Sequence, residues 1–217
     1  MILAAGASER MGRCKALLKY FDETAIARLA RGAREGGGAV RVVVVASQPH
    51  LDIVKDEAQR LNLGVVVNRS PEKGRTGSVQ MGLTAVRDSD LAFIAPVDYP
   101  LAEPDVFRTL RDAMERSREA GENALAAIPD HESSSGCPVA HGRGGHPILL
   151  ARDSFELVAS MKPDDPLREL YSRPGAKILR VRTSVAIGVS VDTPEEYDHA
   201  VNMHLGQKGP QQVQAGV

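Results

Sequence analysis

Leu3-Ala4-Ala5-Gly6-Ala7-Ser8-Glu9-Arg10-Met11-Gly12-Arg13-Cys14-Lys15 follows directly on an apolar start, Met1-Ile2. Small residues let a backbone come close to a ligand, and glycine permits turns that a Cβ would block. Free backbone N–H groups with Arg and Lys beside them form an anion site. A strand that breaks into such a loop and ends on a lysine reads as a cradle for a polyphosphate; a plain glycine-rich surface loop is the alternative. Two familiar phosphate loops are excluded. A Walker A motif has four residues between its glycines and then Lys-Ser/Thr, whereas Gly6 and Gly12 are further apart and Lys15 precedes Ala16. The GxGxxG spacing of dinucleotide-binding turns is absent as well.

Beyond this stretch, short apolar runs alternate with helical patterns. Arg41–Ala46 is a β-branched run suited to burial on both faces, followed by Leu63–Val67, Leu91–Ala95, Ala124–Ile128, Ile178–Val181 and Ile187–Val191. Helices are predicted over Ala25–Glu35, Leu51–Leu61, Ser78–Val86 and Asp105–Glu119. Val79, Leu83 and Val86 share a face in the third, as do Phe107, Leu110 and Met114 in the fourth. This alternation predicts one α/β domain, a three-layer αβα Rossmann-like arrangement around a mostly parallel twisted sheet. A chain of 217 residues with 42% hydrophobic content suits a single such domain, over 1–204. Residues 205–217, polar and glycine-rich, read as a frayed tail. The first strand is short, with only Met1–Ala4 ahead of the loop; the alternative is that translation begins further upstream.

A net charge of −1 gives no broad field for nucleic acid or anionic lipid, and basic residues are not interleaved with aromatics. No apolar run approaches the roughly 18 residues of a membrane span, and the start lacks the features of a signal peptide. Cys14 and Cys137 are far apart and in no metal-type spacing. A cytoplasmic, reduced protein is expected.

In a parallel sheet, ligands bind beyond the carboxyl ends of the strands, so each strand end is a place to look for chemistry. After Leu63–Val67 comes Asn68-Arg69-Ser70-Pro71-Glu72-Lys73-Gly74-Arg75-Thr76-Gly77-Ser78, a polar loop leading into a helix, with Thr76 as its expected cap. After Leu91–Ala95 comes Pro96-Val97-Asp98-Tyr99-Pro100-Leu101. A carboxylate placed where phosphates lie needs a divalent cation between, and Mg²⁺ takes one or two carboxylates plus phosphate oxygens. Asp98 as a simple turn former is the alternative. Ile187–Val191 runs into Asp192-Thr193-Pro194-Glu195-Glu196, where Thr193 and Glu196 make a capping box with Pro194 at the first helical position. Asp192 is then free for a metal, or else supports the helix dipole. Gly142–Ile148 is a second glycine-rich cationic loop, carrying Arg143 and His146.

The first stretch closely resembles the signature LAxGxSxRMGxxK of the MobA-like nucleotidyltransferases. It matches at Leu3, Ala4, Gly6, Ser8, Arg10, Met11, Gly12 and Lys15 without a gap. Ala5 is similar to the molybdenum-cofactor cytidylyltransferase branch, where the guanylyl branch has Gly. The resemblance recurs in blocks to about residue 200. Asn68, Gly74, Ser78 and Gly82-Leu83 match a second motif whose loop contacts base and ribose, although a well-capped loop explains these residues nearly as well. Asp98, Pro100 and Leu101 match D-x-P-L, with the Asp a Mg²⁺ ligand. Asp192, Thr193, Pro194 and Glu195 match a segment whose Asp is the second metal carboxylate. Gly145, His146 and Pro147 match a G-H-P segment near the acceptor, with His146 either contacting it or shaping the loop.

The resemblance thus implies the nucleotide-diphospho-sugar transferase type of fold and a Mg²⁺-dependent transfer of CMP from CTP to a phosphorylated acceptor. Leu3, Ala4, Ala5, Gly6, Ser8, Gly12, Lys15, Asn68, Gly74 and Ser78 would bind nucleotide, with Arg10, Lys15 and Asp98 catalytic. Asp98 and Asp192 would hold metal, and Arg143, Gly145 and His146 would meet the acceptor. By resemblance that acceptor is molybdopterin-type molybdenum cofactor, with a molybdoenzyme or its maturation chaperone as partner. Arg143 on the acceptor phosphate follows from its charge and place. A sugar- or polyol-phosphate acceptor, or a non-catalytic module that binds nucleotide and delivers a cofactor, are the rival readings.

Overall fold

A computed structural model describes residues 1–130, 145–183 and 185–207. In chain order its elements are β1 (Ile2–Ala4), β2 (Lys19–Tyr20), β3 (Glu23–Thr24), α1 (Ala25–Arg31), β4 (Val43–Ala46), α2 (Leu51–Arg60), β5 (Gly64–Val67), α3 (Arg75–Ala85), β6 (Leu91–Pro96), α4 (Pro104–Glu119), β7 (Ala126–Asp130), β8 (Ile148–Ala151), α5 (Asp153–Ala159), β9 (Ile178–Arg182) and α6 (Pro194–Gln207). Seven strands form one sheet in the order β5-β4-β1-β6-β8-β7-β9. All neighbours are parallel except those of β8, which runs antiparallel to both β6 and β7. This is the predicted single α/β domain.

The period of two along each strand sorts the core onto the two faces of the sheet. Ile2, Ala4, Val44, Ala46, Phe93 and Ala95 pack on one face, with Ile26 and Leu29 of α1, Val54 of α2, and Phe107 and Leu110 of α4. Met1, Leu3, Val43, Val45, Ala92 and Ile94 face the other way, onto Val79 and Leu83 of α3 and Val158 of α5. A third cluster sits at the carboxyl end of the sheet, joining Met11, Leu18, Tyr20, Leu101, Val189, Val191 and Ala200. It ties the first loop, the β2–β3 hairpin and α6 into one block, and that block frames the site.

Several expectations need correction. The helix expected over Ala25–Glu35 is α only to Arg31, then widens into a π turn over Gly32–Gly36. A Cβ on Gly36 would stand 1.7 Å from the Pro104 carbonyl oxygen, so this turn exists to lie flat against the start of α4. The strand expected over Ile187–Val191 is a 3₁₀ turn over Val185–Gly188, followed by an extended segment in which only Val189 makes a bridge. Val189 and Val191 are buried in the third cluster and Ile187 in the first, rather than by ladder pairing. Strand β8 was not anticipated: Ile148-Leu149-Leu150 follows the glycine-rich loop without alternation, which left its state open. Leu205, Gly206 and Gln207, expected in the tail, are the end of α6, and 208–217 lie outside the described residues.

Candidate active site

Strand β1 is central, and the loop that leaves it is held by the segment that follows β4. Ser47, just past β4, donates its hydroxyl to the Ala5 carbonyl at 2.7 Å, and His50 Nε2 lies 3.0 Å from the Ala7 carbonyl. Ser8 adopts a left-handed backbone at φ 57°, and Glu9–Met11 make a 3₁₀ turn that plugs Met11 into the third cluster. The Lys15 backbone N–H then donates to Ser8 Oγ at 3.3 Å, closing the loop on itself.

Two carboxylates meet this loop. Asp98 follows β6, and its carbonyl accepts from the Val191 N–H at 2.8 Å, which fastens the turn after β6 to the segment that ends in Asp192. The capping box forms as expected. The Asp192 and Thr193 N–H groups donate to Glu196 Oε2 at 2.6 and 3.0 Å, and Glu196 N–H donates to Thr193 Oγ1 at 3.3 Å. Asp192 is released from capping and turns to the loop, where Lys15 Nζ binds Oδ1 and Arg10 Nη2 lies 3.1 Å from Oδ2. Arg75 Nη2, from the first turn of α3, lies 3.4 Å from Asp98 Oδ2.

Electrostatics separate the two acids. Burial pushes the Asp98 carboxyl above its ordinary range, against the pull of Arg75 and Lys15, and the nearby Asp192 charge adds to the rise. Burial also pushes Asp192 up, but Lys15 and Arg10 more than offset it, and its carboxyl lies below the ordinary range. Lys15 is itself well covered at 13% side-chain exposure, while Arg10 is 70% exposed.

These residues line one cavity of about 470 Å³ at the carboxyl end of the sheet. Leu3, Ala4, Ala5, Gly6, Ser8, Arg10, Lys15, Gly74, Ser78, Asp98 and Asp192 all belong to its wall. Gly12, Asn68, Gly145 and His146 do not. Gly12 closes the 3₁₀ turn behind the loop. Asn68 is buried, donating to Ser78 Oγ at 2.9 Å and accepting from the Ser70 N–H at 2.9 Å, so it shapes the second loop from behind. Thr76 is not the cap of α3, since its hydroxyl donates to the Asp165 carbonyl at 2.6 Å. Gly145 is pressed against Ile187, and the His146 ring stacks at a tilt on Tyr99 with centroids 4.7 Å apart. Burial pulls the His146 imidazole down to about 4, so it is neutral near pH 7. Arg143 lies outside the described residues.

Two contributors escaped the sequence reading. Arg75 lines the cavity from the end of the second loop, and its mark in the sequence is a cation directly after Gly74, at the start of α3. Arg28 is buried on α1, with Nε donating to the Pro100 carbonyl at 3.2 Å and Nη2 paired with Glu103, so it braces the turn carrying Asp98. No local pattern marks that role.

For metal, the donors are two carboxylates in one cavity, both partly covered. No group of three or more His, Cys, Asp or Glu suited to a metal occurs among the described residues. Two carboxylates fit a hard cation that keeps part of its hydration and draws its remaining ligands from phosphate, the habit of Mg²⁺.

A glycine-rich anion loop, paired acids and a switch-point cavity on this sheet define a nucleotide-using transferase of the α/β class. The comparisons place it more closely. A family model for the MobA-like NTP transferase domain matches residues 1–178, and the chain belongs to that family. Among solved structures, a nucleotidyl transferase from Methanothermobacter superposes with a TM-score of 0.75 at 18% identity, covering 95% of this chain and 97% of that one. Rv0371c from Mycobacterium tuberculosis H37Rv gives 0.71 at 22% identity, covering 93% and 95%. Its complex with manganese gives 0.69 at 19%, covering 93% and 96%. A CMP:2-keto-3-deoxy-manno-octonic acid synthetase complexed with CTP gives 0.68 at 15%, covering 95% and 97%. At these identities the likeness speaks for the fold. No described helix is long and apolar enough to cross a membrane.

Proposed function

We propose that this nucleotidyltransferase moves CMP from CTP to a phosphorylated acceptor of the molybdopterin-cofactor type, releasing pyrophosphate, with Mg²⁺ held by Asp98 and Asp192. The observation that carries the reading is the Val191–Asp98 backbone bond, which gives both acids to the cavity lined by Lys15 and Arg10. The loop after β1 supports the triphosphate, and Lys15 and Arg10 take up the charge of the leaving pyrophosphate. Asp98 and Asp192 would hold the metal, which would supply neutralisation of phosphate charge. An acceptor phosphate oxygen forms a bond to the α-phosphorus as the bond to the β-phosphate oxygen breaks, and the electron pair leaves with pyrophosphate. A phosphate monoester, with a second pKa of about 6, is mostly dianionic at neutral pH and needs no general base. The chain's residues therefore act by positioning and charge.

Ala5 lines the cavity, and its methyl narrows the space available to a purine. The manganese complex of Rv0371c and the CTP complex of the octonic acid synthetase support metal and cytidine nucleotide in this fold. The latter also favours a second reading, with a sugar-type acceptor. Pyrophosphate release is to be followed with CTP and with GTP, in Mg²⁺, against reduced molybdenum cofactor and a panel of sugar and polyol phosphates. CTP-dependent release with molybdenum cofactor is expected. Equal rates with GTP would remove the base assignment, and release only with a sugar phosphate would transfer the acceptor assignment to the second reading.

A further inference from the structure

We propose that Arg75 receives the attacking phosphate of the acceptor, an assignment that rests on the nucleotidyl-transfer reading above. Three cations line the cavity among the described residues: Arg10, Lys15 and Arg75. The first two come from the loop after β1 and both grip Asp192. Arg75 comes from α3 and faces Asp98 instead. In-line transfer requires the nucleophile to approach opposite the leaving pyrophosphate. Cations serving the leaving side cannot also hold the incoming dianion, so a second source of positive charge is needed from another element.

The backbone under Arg75 is fixed. Gly74 has φ 123°, and a Cβ there would lie 2.3 Å from the Pro163 carbonyl oxygen. The Gly77 N–H donates to that same carbonyl at 3.2 Å, and Thr76 is tied to Asp165. The side chain is not fixed in this way: it is 67% exposed, against 17% for its partner Asp98. An exposed contact at 3.4 Å contributes little and is readily exchanged, whereas guanidinium binds phosphate through two parallel hydrogen bonds. The Arg75 charge also acts on Tyr99 and His146, the stacked pair beside Asp98. With Asp98 engaged by a metal, Arg75 would lose this partner and be free to meet the acceptor.

The test uses the full chain saturated with Mn²⁺ and α,β-methylene CTP, which blocks the triphosphate position and cannot react, titrated calorimetrically with inorganic phosphate. Arg75→Ala is expected to weaken phosphate binding by about ten-fold or more, with partial recovery in Arg75→Lys and affinity for the nucleotide analogue changed less than about three-fold. Unchanged phosphate affinity in Arg75→Ala, or none in the wild type, overturns the assignment while leaving nucleotidyl transfer standing. An equal loss for phosphate and for the analogue also overturns it, by moving Arg75 to the triphosphate. Failure of the wild type to bind the analogue with Mn²⁺ overturns the nucleotidyl-transfer reading, and this inference with it.

Discussion

The Val191 amide and the Asp98 carbonyl are joined at 2.8 Å although 93 positions separate them in the chain. That single bond brings two carboxylates from different thirds of the sequence to the wall of one cavity. Each is held at the cost of charge: Asp98 is largely withdrawn from solvent, and Asp192 is neutralised by Lys15 and Arg10.

Asp98→Asn therefore has opposite effects on stability and activity. A carboxyl whose folded pKa is raised favours the folded state when protonated, and that advantage is lost as pH rises through the raised value. At pH 7.5, without metal, Asp98→Asn is expected to melt at or above the wild-type temperature, with the difference shrinking as pH is lowered below the ordinary carboxylate range. Its metal-dependent turnover should fall by at least about 100-fold. A variant that melts clearly below wild type would show that the Asp98 charge stabilises the free protein. Asp192→Asn should lose activity similarly, but its depressed pKa reverses the stability sign: its contribution is present above the unfolded value and lost as pH falls through the folded one.

Arg28 makes the turn after β6 a fixed object. Its Nε is the donor to the Pro100 carbonyl, and it is 4% exposed, whereas Arg31 on the same helix is 30% exposed. Removing a buried donor leaves its acceptor unsatisfied. Arg28→Met should cost about 2 kcal/mol, several degrees in melting temperature for a chain of this size. Arg31→Ala should cost less than about 1 kcal/mol, since Arg31 makes more exposed pairs. Parallel thermal melts decide this; equal losses would deny the Pro100 bond a special role.

How far the sequence could be read follows from what kind of information each residue carries. The Leu3–Lys15 loop, the capping box behind Asp192 and the alternation of strand and helix are local patterns, and the structure has all three. Ser47, His50 and Arg28 act through contacts with residues tens of positions away, and no spacing announces them. Asn68 shows the converse. Its motif position is legible, but only the fold shows its amide engaged by Ser78 and Ser70 behind the cavity wall that Ser78 belongs to. Strand β8 was hidden because a short apolar run without alternation has no distinctive period.

His146 should govern acid stability. Burial lowers its folded pKa to about 4, so the unfolded chain binds this proton first as pH falls below about 6.5. Stability is then fully present above about 6.5 and lost as pH approaches 4. Denaturant midpoints between pH 7 and 4.5 should decline in the wild type and decline less in His146→Gln. Parallel declines in the two proteins would remove His146 from the acid transition.

The opposite end of the sheet offers the last test. The Met1 amine donates to the Phe93 carbonyl at 2.6 Å, and burial lowers its pKa to about 5. Ile2 pairs with Val44 and Ala95, so a residue placed before Met1 would continue β1 between Val42 and Phe93. A groove of about 600 Å³ lies there, lined by Leu29, Ala33, Val42 and Phe93. By the period of two, the added residue would share the face of Ile2. A variant beginning Lys-Thr-Val ahead of Met1 should therefore gain about 2 kcal/mol from the buried valine. It would also replace a titrating amine with an amide. A depressed amine pKa means the unfolded chain holds more protons between about 5 and 8, so wild-type stability should rise with pH across that range. The extended variant should lose this dependence and melt higher, while a Lys-Gly-Asp extension should lose the dependence without the gain. Identical melting of the two extensions would show that the groove does not take a strand.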